Sequence, residues 1–261
     1  MIDLIKKKIR RFCPQSLLDY YTYIKSTKRQ SNYNNVILEQ TFNKIIRTNH
    51  WAGMQSISGT GSDLTQTETL RQALPILFQD YNIKSILDIP CGDFYWMKEV
   101  DLSGISYNGA DIVQDIIDMN TKYSKENIKF EKLDLTKDLL PTSDLIICRD
   151  CFVHLSFGDI YRTMKNIILS GSEYLFTTTF TNRELNYNIV SGGWRTLNLE
   201  RHPFYFSKPI LTINENCNEA HGQYRDKTMG LWKIKNITLP KKVYRKQIFF
   251  RISKLKLEKD F

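Results

Sequence analysis

Ser85-Ile86-Leu87-Asp88-Ile89-Pro90-Cys91-Gly92-Asp93 decides the fold of this chain. The apolar run, the glycine turn and the closing acid read as a buried strand, a tight turn and the first residue of a helix. In open α/β sheets a strand-to-helix turn of this kind is where a nucleotide-like ligand sits. Acid flanks the turn at Asp88 and Asp93. A pyrophosphate would rest on the amides of the helix N-terminus, and an Asp there would repel it and occupy the same amides. The turn therefore suits a nucleoside without phosphate, preferably one with positive charge.

Strands and helices alternate on the C-terminal side of the turn. Strand Ile83–Ile89 precedes a helix from Asp93, and strand Ser106–Asp111 precedes a helix through Val113–Tyr123. Strands follow at Ile128–Leu133, Leu145–Cys148 and Tyr174–Thr179, with a helix through Ile160–Ile168 before the last. This order predicts right-handed crossovers and a mostly parallel sheet. Two later strands are expected near Ile210–Ile213 and Met229–Ile234. On the N-terminal side, Asp63–Asp80 reads as a helix and Trp51–Ser62, rich in Gly and Ser, as a loop. Residues 1–50 read as a helical extension, from Ile2, Ile5, Ile9 and Phe12 and then Val36, Ile37, Phe42, Ile45 and Ile46. The expected domains are that extension, a cofactor-binding domain at 51–240 and a basic tail at 241–261.

At 261 residues the chain can bury one full α/β core with extensions. Its net charge of +9 is unevenly divided. Residues 1–30 carry eight Lys/Arg against two acids, and residues 233–261 carry ten against two, so the middle is mildly acidic. A nucleic-acid enzyme more often spreads basic residues around its active face. The ends read first as solubilising, with peripheral membrane association as the alternative. The basic N-terminus runs into Phe12-Cys13-Pro14 without the apolar core of a secretory signal, and no apolar run approaches the ~20 residues of a membrane span. A cytoplasmic protein is expected. Its five scattered cysteines suit a reducing compartment. Cys148 and Cys151 form a C-x-x-C pair without a second ligand pair, so they read as strand-end cysteines and no metal is expected.

Three acids close consecutive strands: Asp88, Asp111 and Asp134. Asp111 lies about twenty residues beyond the glycine turn, where a carboxylate meets ribose hydroxyls. Asp134 can accept from an adenine amino group. S-adenosylmethionine meets these demands, with an adenosine, a sulfonium cation and an ammonium for a carboxylate.

Six stretches carry a family resemblance. They are Ser58–Ser62 (Ser-Gly-Thr-Gly-Ser), Leu87–Trp96, Gly109–Ile112, Cys148–Ser156 (Cys-Arg-Asp-Cys-Phe-Val-His-Leu-Ser), Gly193–Leu199 and Asp226–Trp232. Over roughly Trp51 to Trp232 the chain resembles class I S-adenosylmethionine-dependent methyltransferases of the bacterial surface-glycan and capsule type. The resemblance implies a Rossmann-like α/β fold, with a seven-stranded sheet whose last strand is antiparallel. It places Asp88, Cys91 and Gly92 at the methionine part of the cofactor, Asp111 at the ribose, and Asp134 with Leu135 at the adenine. Pro90, Asp93, Trp96, Ile112 and Arg149 complete the expected contacts, with Ser58 and Ser62 in a lid hinged on its glycines. The single Gly92 after Pro90-Cys91 departs from the commoner Gly-x-Gly turn.

Methyl transfer depends chiefly on positioning the acceptor, helped by a base for a hydroxyl proton. His154, after the fourth strand, is the candidate base, with Asp150 orienting it or acting itself. The alternative for His154 is a packing role at a helix entrance. The acceptor is expected in Thr181–Phe206, where Trp194 can stack on a sugar and Asn182, Arg183, Arg195 and Asn198 can bond hydroxyls or a phosphate. The expected reaction is O-methylation of a sugar, sugar nucleotide or phosphate-type group in surface-polysaccharide synthesis. The rivals are a nucleic-acid methyltransferase and a non-catalytic S-adenosylmethionine-binding regulator. Against the first, Cys148-Arg-Asp-Cys-Phe stands where an Asn/Asp-Pro-Pro-aromatic run would grip a flipped base.

Overall fold

The computed structural model describes residues 37–239. The helical positions expected at Ile2, Ile5, Ile9, Phe12 and Val36, and the basic tail at 241–261, lie outside the described residues. In chain order the elements are α1 Leu38–Arg47, α2 Leu64–Asp80, β1 Ser85–Asp88, β2 Ser106–Asp111, α3 Gln114–Asn120, β3 Ile128–Lys132 and β4 Leu145–Cys148. Then come α4 Phe157–Leu169, β5 Tyr174–Phe180, β6 Leu211–Asn214 and β7 Lys227–Lys233. One seven-stranded sheet runs β3-β2-β1-β4-β5-β7-β6. The pairs among β1 to β5 are parallel, and β7 runs antiparallel to both β5 and β6. The expected Rossmann-like sheet with an antiparallel last strand is borne out.

Alternation along the central strands builds a core on each face. Ile86, Leu145, Ile147 and Phe176 pack with Leu70, Leu74, Leu77 and Phe78 of α2. Their neighbours Leu87, Ile146, Cys148 and Leu175 pack on the other face with Ile160, Met164 and Ile167 of α4. Strands buried on both faces become near-continuous apolar runs, which is how Leu145–Cys148 reads. Ser156 caps α4, its hydroxyl accepting from the Asp159 amide at 3.1 Å.

One expectation needs correction. No helix starts at Asp93. Phe94 takes a left-handed φ of 57° and inserts its ring between Tyr107 and Phe130, each centroid 5.1 Å away, so only a single 3-10 turn forms at Met97–Glu99. Aromatic burial overrides the helix there, and no helix dipole stands behind Asp93. The described end of the N-terminal extension packs onto the sheet domain. Leu38 of α1 is buried in the core cluster with α4, and Phe42 packs against it. Gly192 lies so close under the helix that an added Cβ would stand 2.4 Å from the Thr41 methyl.

The sheet order reverses between β1 and β4, one leading outward to β2 and the other to β5. A crevice opens at the carboxyl ends of strands at such a switch point.

Candidate functional site

The cleft lies at this switch point and encloses about 1060 Å³, counting the space open to solvent. The ends of β1, β2, β3 and β4 supply its floor through Asp88–Asp93, Asp111–Val113, Leu133–Thr136 and Arg149–Cys151. Trp96, His154 and Leu155 add to it, Trp51, Ser58 and Ser62 close one side, and Leu38, Phe42 and Ile46 of α1 form an apolar roof. All thirteen residues expected at the cofactor and both candidate catalytic residues therefore line one cavity.

Asp88 and Asp111 form its buried acidic floor. Tyr107, on the neighbouring strand, donates its hydroxyl to Asp88 Oδ2 at 2.6 Å. Burial pushes the Asp88 carboxyl up to about 7, against the Tyr107 hydrogen bond and the nearby Arg149 charge. Asp111 accepts from the Val113 amide at 3.0 Å and the Gly92 amide at 3.2 Å, and burial raises it to about 6 despite those bonds. Gly92 sits at φ 53°, where a side chain would be strained and would collide with the Ser58 hydroxyl. Asp134 is engaged locally: Oδ1 accepts from the Thr136 hydroxyl at 2.6 Å, and Oδ2 pairs with Lys137 at 2.9 Å.

Asp93 turns toward the loop before α2 rather than capping a helix. Its carboxylate accepts from the Ser56 hydroxyl at 2.8 Å and the Ile57 amide at 3.0 Å. Arg149 crosses beneath the same loop, donating to the Gly61 carbonyl at 2.7 Å and pairing with Glu215 at 2.6 Å. Its guanidinium stands 5.4 Å from the Trp96 ring centre.

His154 and Asp150 share the cleft wall without bonding to each other. His154 Nδ1 lies 2.8 Å from the Gly193 carbonyl, and its ring stacks 4.7 Å from Trp51. A carbonyl only accepts, so Nδ1 carries the proton and Nε2 keeps a lone pair. Burial among these rings lowers the imidazole to about 4. Asp150, at a left-handed φ of 50°, pairs instead with Lys227 at 2.6 Å and Arg149 at 3.4 Å. Burial works against its charge, but the two cations prevail and hold it at about 2. Asp150 does not orient His154 and is a poor base; the Gly193 carbonyl sets the imidazole.

The expected acceptor residues are corrected more heavily. Arg195 is fully buried and donates to the carbonyls of Tyr187, Phe152 and Leu155. Arg183 is buried against Asp226 and the Gln223 carbonyl, each at 2.6 Å. Asn198 Nδ2 donates to the Thr181 and Arg183 carbonyls. These side chains bond backbone carbonyls in the interior, so they build the scaffold. Asn182 and Trp194 are exposed outside the cleft lining. Trp194, 43% exposed, packs edge-on against Tyr224 at 4.9 Å, next to the glycine that holds His154.

Tyr107, Trp51, Glu215 and the α1 roof carry no site signal in the sequence, whereas Lys227 ends the segment from His221 that the resemblance offers to the pocket. The α1 positions carry a helical apolar stripe, but a stripe does not say which surface it covers.

No protein-family profile and no curated protein matches the chain. Solved structures do show similarity. The PH0226 protein from Pyrococcus horikoshii OT3 is 22% identical, with 43% of this chain and 55% of that one covered and a TM-score of 0.36. Human N-acetylserotonin methyltransferase in complex with SAM is 19% identical, covering 58% of this chain and 43% of that one, with a TM-score of 0.42. Magnesium protoporphyrin IX methyltransferase from Synechocystis PCC 6803 with bound SAH is 16% identical, covering 65% and 74%, with a TM-score of 0.38. The similarity thus spans about half the length of the first two of these chains.

Proposed function

We propose that this chain is an S-adenosylmethionine-dependent methyltransferase acting on an oxygen of a small-molecule or glycan acceptor. The reading is carried by the convergence of Asp88, Asp111 and Asp134, from three consecutive strands, on one cleft at the β1/β4 switch point. The donor set suits the cofactor. Burial leaves Asp88 and Asp111 with raised pKa values, an environment that a bound cation would stabilise. Ile112, Leu133 and Leu135 offer apolar faces to a planar base. In this reading Asp88, Cys91 and Gly92 face the methionine portion, Asp111 the ribose, and Asp134 with Leu135 the adenine. Pro90, Trp96, Ile112, Arg149, Ser58 and Ser62 wall the site.

When bound, the cofactor supplies an electrophilic methyl on a sulfonium sulfur. The protein's part is to orient the acceptor and exclude water, which the apolar α1 roof favours. The free Nε2 of His154 receives the acceptor's hydroxyl hydrogen bond. A hydroxyl becomes strongly acidic as its oxygen is alkylated, so even a weak base in contact suffices. Asp150 stays anionic and keeps the β4 turn in place through Lys227 and Arg149.

The finer reading is O-methylation of a sugar, sugar nucleotide or phosphate-type substituent in capsular or surface polysaccharide synthesis. A sugar ring is supported by the exposed Trp194 face beside Gly193, since aromatic faces stack on such rings. Phosphate-bearing acceptors draw less support, because Arg183 and Arg195 are engaged in the interior. Incubation with methyl-labelled cofactor and a panel of free and nucleotide-activated sugars, followed by mass spectrometry, tests the whole reading. The expected result is a gain of ~14 Da on a panel member, since the cofactor carries the chemistry. Label moving to nucleic acid instead would transfer the case to that rival.

A further inference from the structure

Asp93 lines the cleft, yet both of its carboxylate oxygens are occupied by the segment that closes the cleft's side. Oδ1 accepts from the hydroxyls of Ser56 at 2.8 Å and Ser58 at 3.3 Å, and Oδ2 from the Ile57 amide at 3.0 Å. The Asp93 amide in turn donates to Ser58 Oγ at 3.1 Å, and the Ser58 amide donates to Ser56 Oγ at 3.1 Å. This stitching brings Ser58 so close to Gly92 that only a glycine fits there. The far end of the segment is held by Arg149 on the Gly61 carbonyl at 2.7 Å and by the Thr60 hydroxyl on Glu219 at 2.6 Å. Around these anchors the chain presents Trp51, Ser58 and Ser62 to the cleft, and Trp51 carries the stack on His154.

We propose that Asp93 is a positioning residue, which latches segment 56–58 to the glycine turn and so governs how fast a ligand leaves the cleft. The identity of that ligand rests on the methyltransferase reading; the latch does not. Asp88, bonded to Tyr107, and Asp111, bonded to the Val113 and Gly92 amides, are not tied to that segment and are the acids that face a ligand in that reading. Charge-assisted hydrogen bonds are the strong ones, and a carboxylate taking three from one short segment can set that segment's opening rate. Ser56 separates this role from direct contact: it is buried, bonded to Asp93 and absent from the cleft lining.

The test compares Asp93→Asn and Ser56→Ala with the native protein. Dissociation of S-adenosylmethionine is followed by stopped-flow tryptophan fluorescence, and opening of residues 55–62 by hydrogen exchange. Asp93→Asn is expected to raise the dissociation rate about tenfold and Ser56→Ala about threefold, with association within about twofold, as loss of hydrogen bonds to a charged group implies. Exchange over 55–62 should quicken in both variants. Native-like dissociation from Ser56→Ala, with weakened binding in Asp93→Asn and unchanged exchange, would mean that Asp93 touches the ligand directly and would overturn the latch. If the native protein binds no S-adenosylmethionine, the methyltransferase reading fails. The exchange comparison then decides the latch alone, quicker exchange supporting it and unchanged exchange overturning it.

Discussion

His154 points its Nδ1 at the Gly193 carbonyl, 2.8 Å away, and not at the carboxylate of Asp150 four residues earlier. The segment expected to bind the acceptor therefore sets the tautomer of the candidate base. The same contact keeps the imidazole among Trp51 and the cleft wall, where burial lowers it to about 4. His154 is accordingly neutral throughout the physiological range and works as an acceptor rather than as a charge.

Replacing His154 with Ala should lower turnover about 10- to 100-fold while cofactor affinity stays within about twofold. At saturating S-adenosylmethionine, where the bound cation keeps Asp88 and Asp111 ionised, kcat should show no limb near 6.5, because the imidazole titrates at about 4. Steady-state kinetics over pH 5 to 9 checks both; a clear limb near 6.5 in kcat at saturating cofactor would contradict the neutral ring.

Cofactor affinity should rise with pH. Asp88 titrates at about 7 and Asp111 at about 6, so both are largely protonated at pH 5.5 and ionised at pH 8. A cationic ligand favours the ionised forms, and the gain between those two pH values should be about tenfold or more. Calorimetric affinities that stay flat or fall over the range would rule this out.

The same burial makes Asp88 costly to the empty protein. Its folded pKa lies above the ordinary value of 3.8, so the native state holds the proton longer than the unfolded chain. That lowers stability as pH rises from about 4 to 7. Asp88→Asn can still accept from Tyr107, so the ligand-free variant should be more stable than native at pH 8, on the order of 1–3 kcal/mol, and little different at pH 4. Thermal unfolding at both pH values checks this, and an Asn variant less stable at pH 8 would refute it.

Arg195 and Trp194 are adjacent in sequence and should behave as opposites. Arg195→Leu removes the buried donor that three carbonyls share and should lower unfolding free energy by about 3 kcal/mol in urea titrations. Trp194→Ala should cost about 1 kcal/mol or less and act mainly by raising the acceptor KM. A stability loss confined to Trp194→Ala would reverse the assignment.

Leu145–Cys148 was legible because a strand buried on both faces leaves an unbroken apolar run, and both it and the more polar Ser106–Asp111 have the bounds read from sequence. The acids at strand ends were legible because β1 and β2 each close on one and Asp134 follows β3 by two residues. Three other features depend on partners distant in sequence. The helix at Asp93 gives way to Phe94 because Tyr107 and Phe130 surround its ring. Arg183, Arg195 and Asn198 have the composition of a polar pocket, yet they hydrogen-bond interior carbonyls, and composition does not distinguish the two. Phe42 and Ile46 were visible on a helical apolar stripe, but their place over the cleft beside Leu38 follows from packing with residues distant in sequence.

The central claim is that the acidic floor of this cleft holds S-adenosylmethionine. Calorimetric titration of the native protein and of Asp111→Ala at pH 8 tests it most directly. Saturable binding at one site per chain, weakened about tenfold or more in the variant, is the predicted result. No binding to the native protein, or equal binding to both, would contradict it.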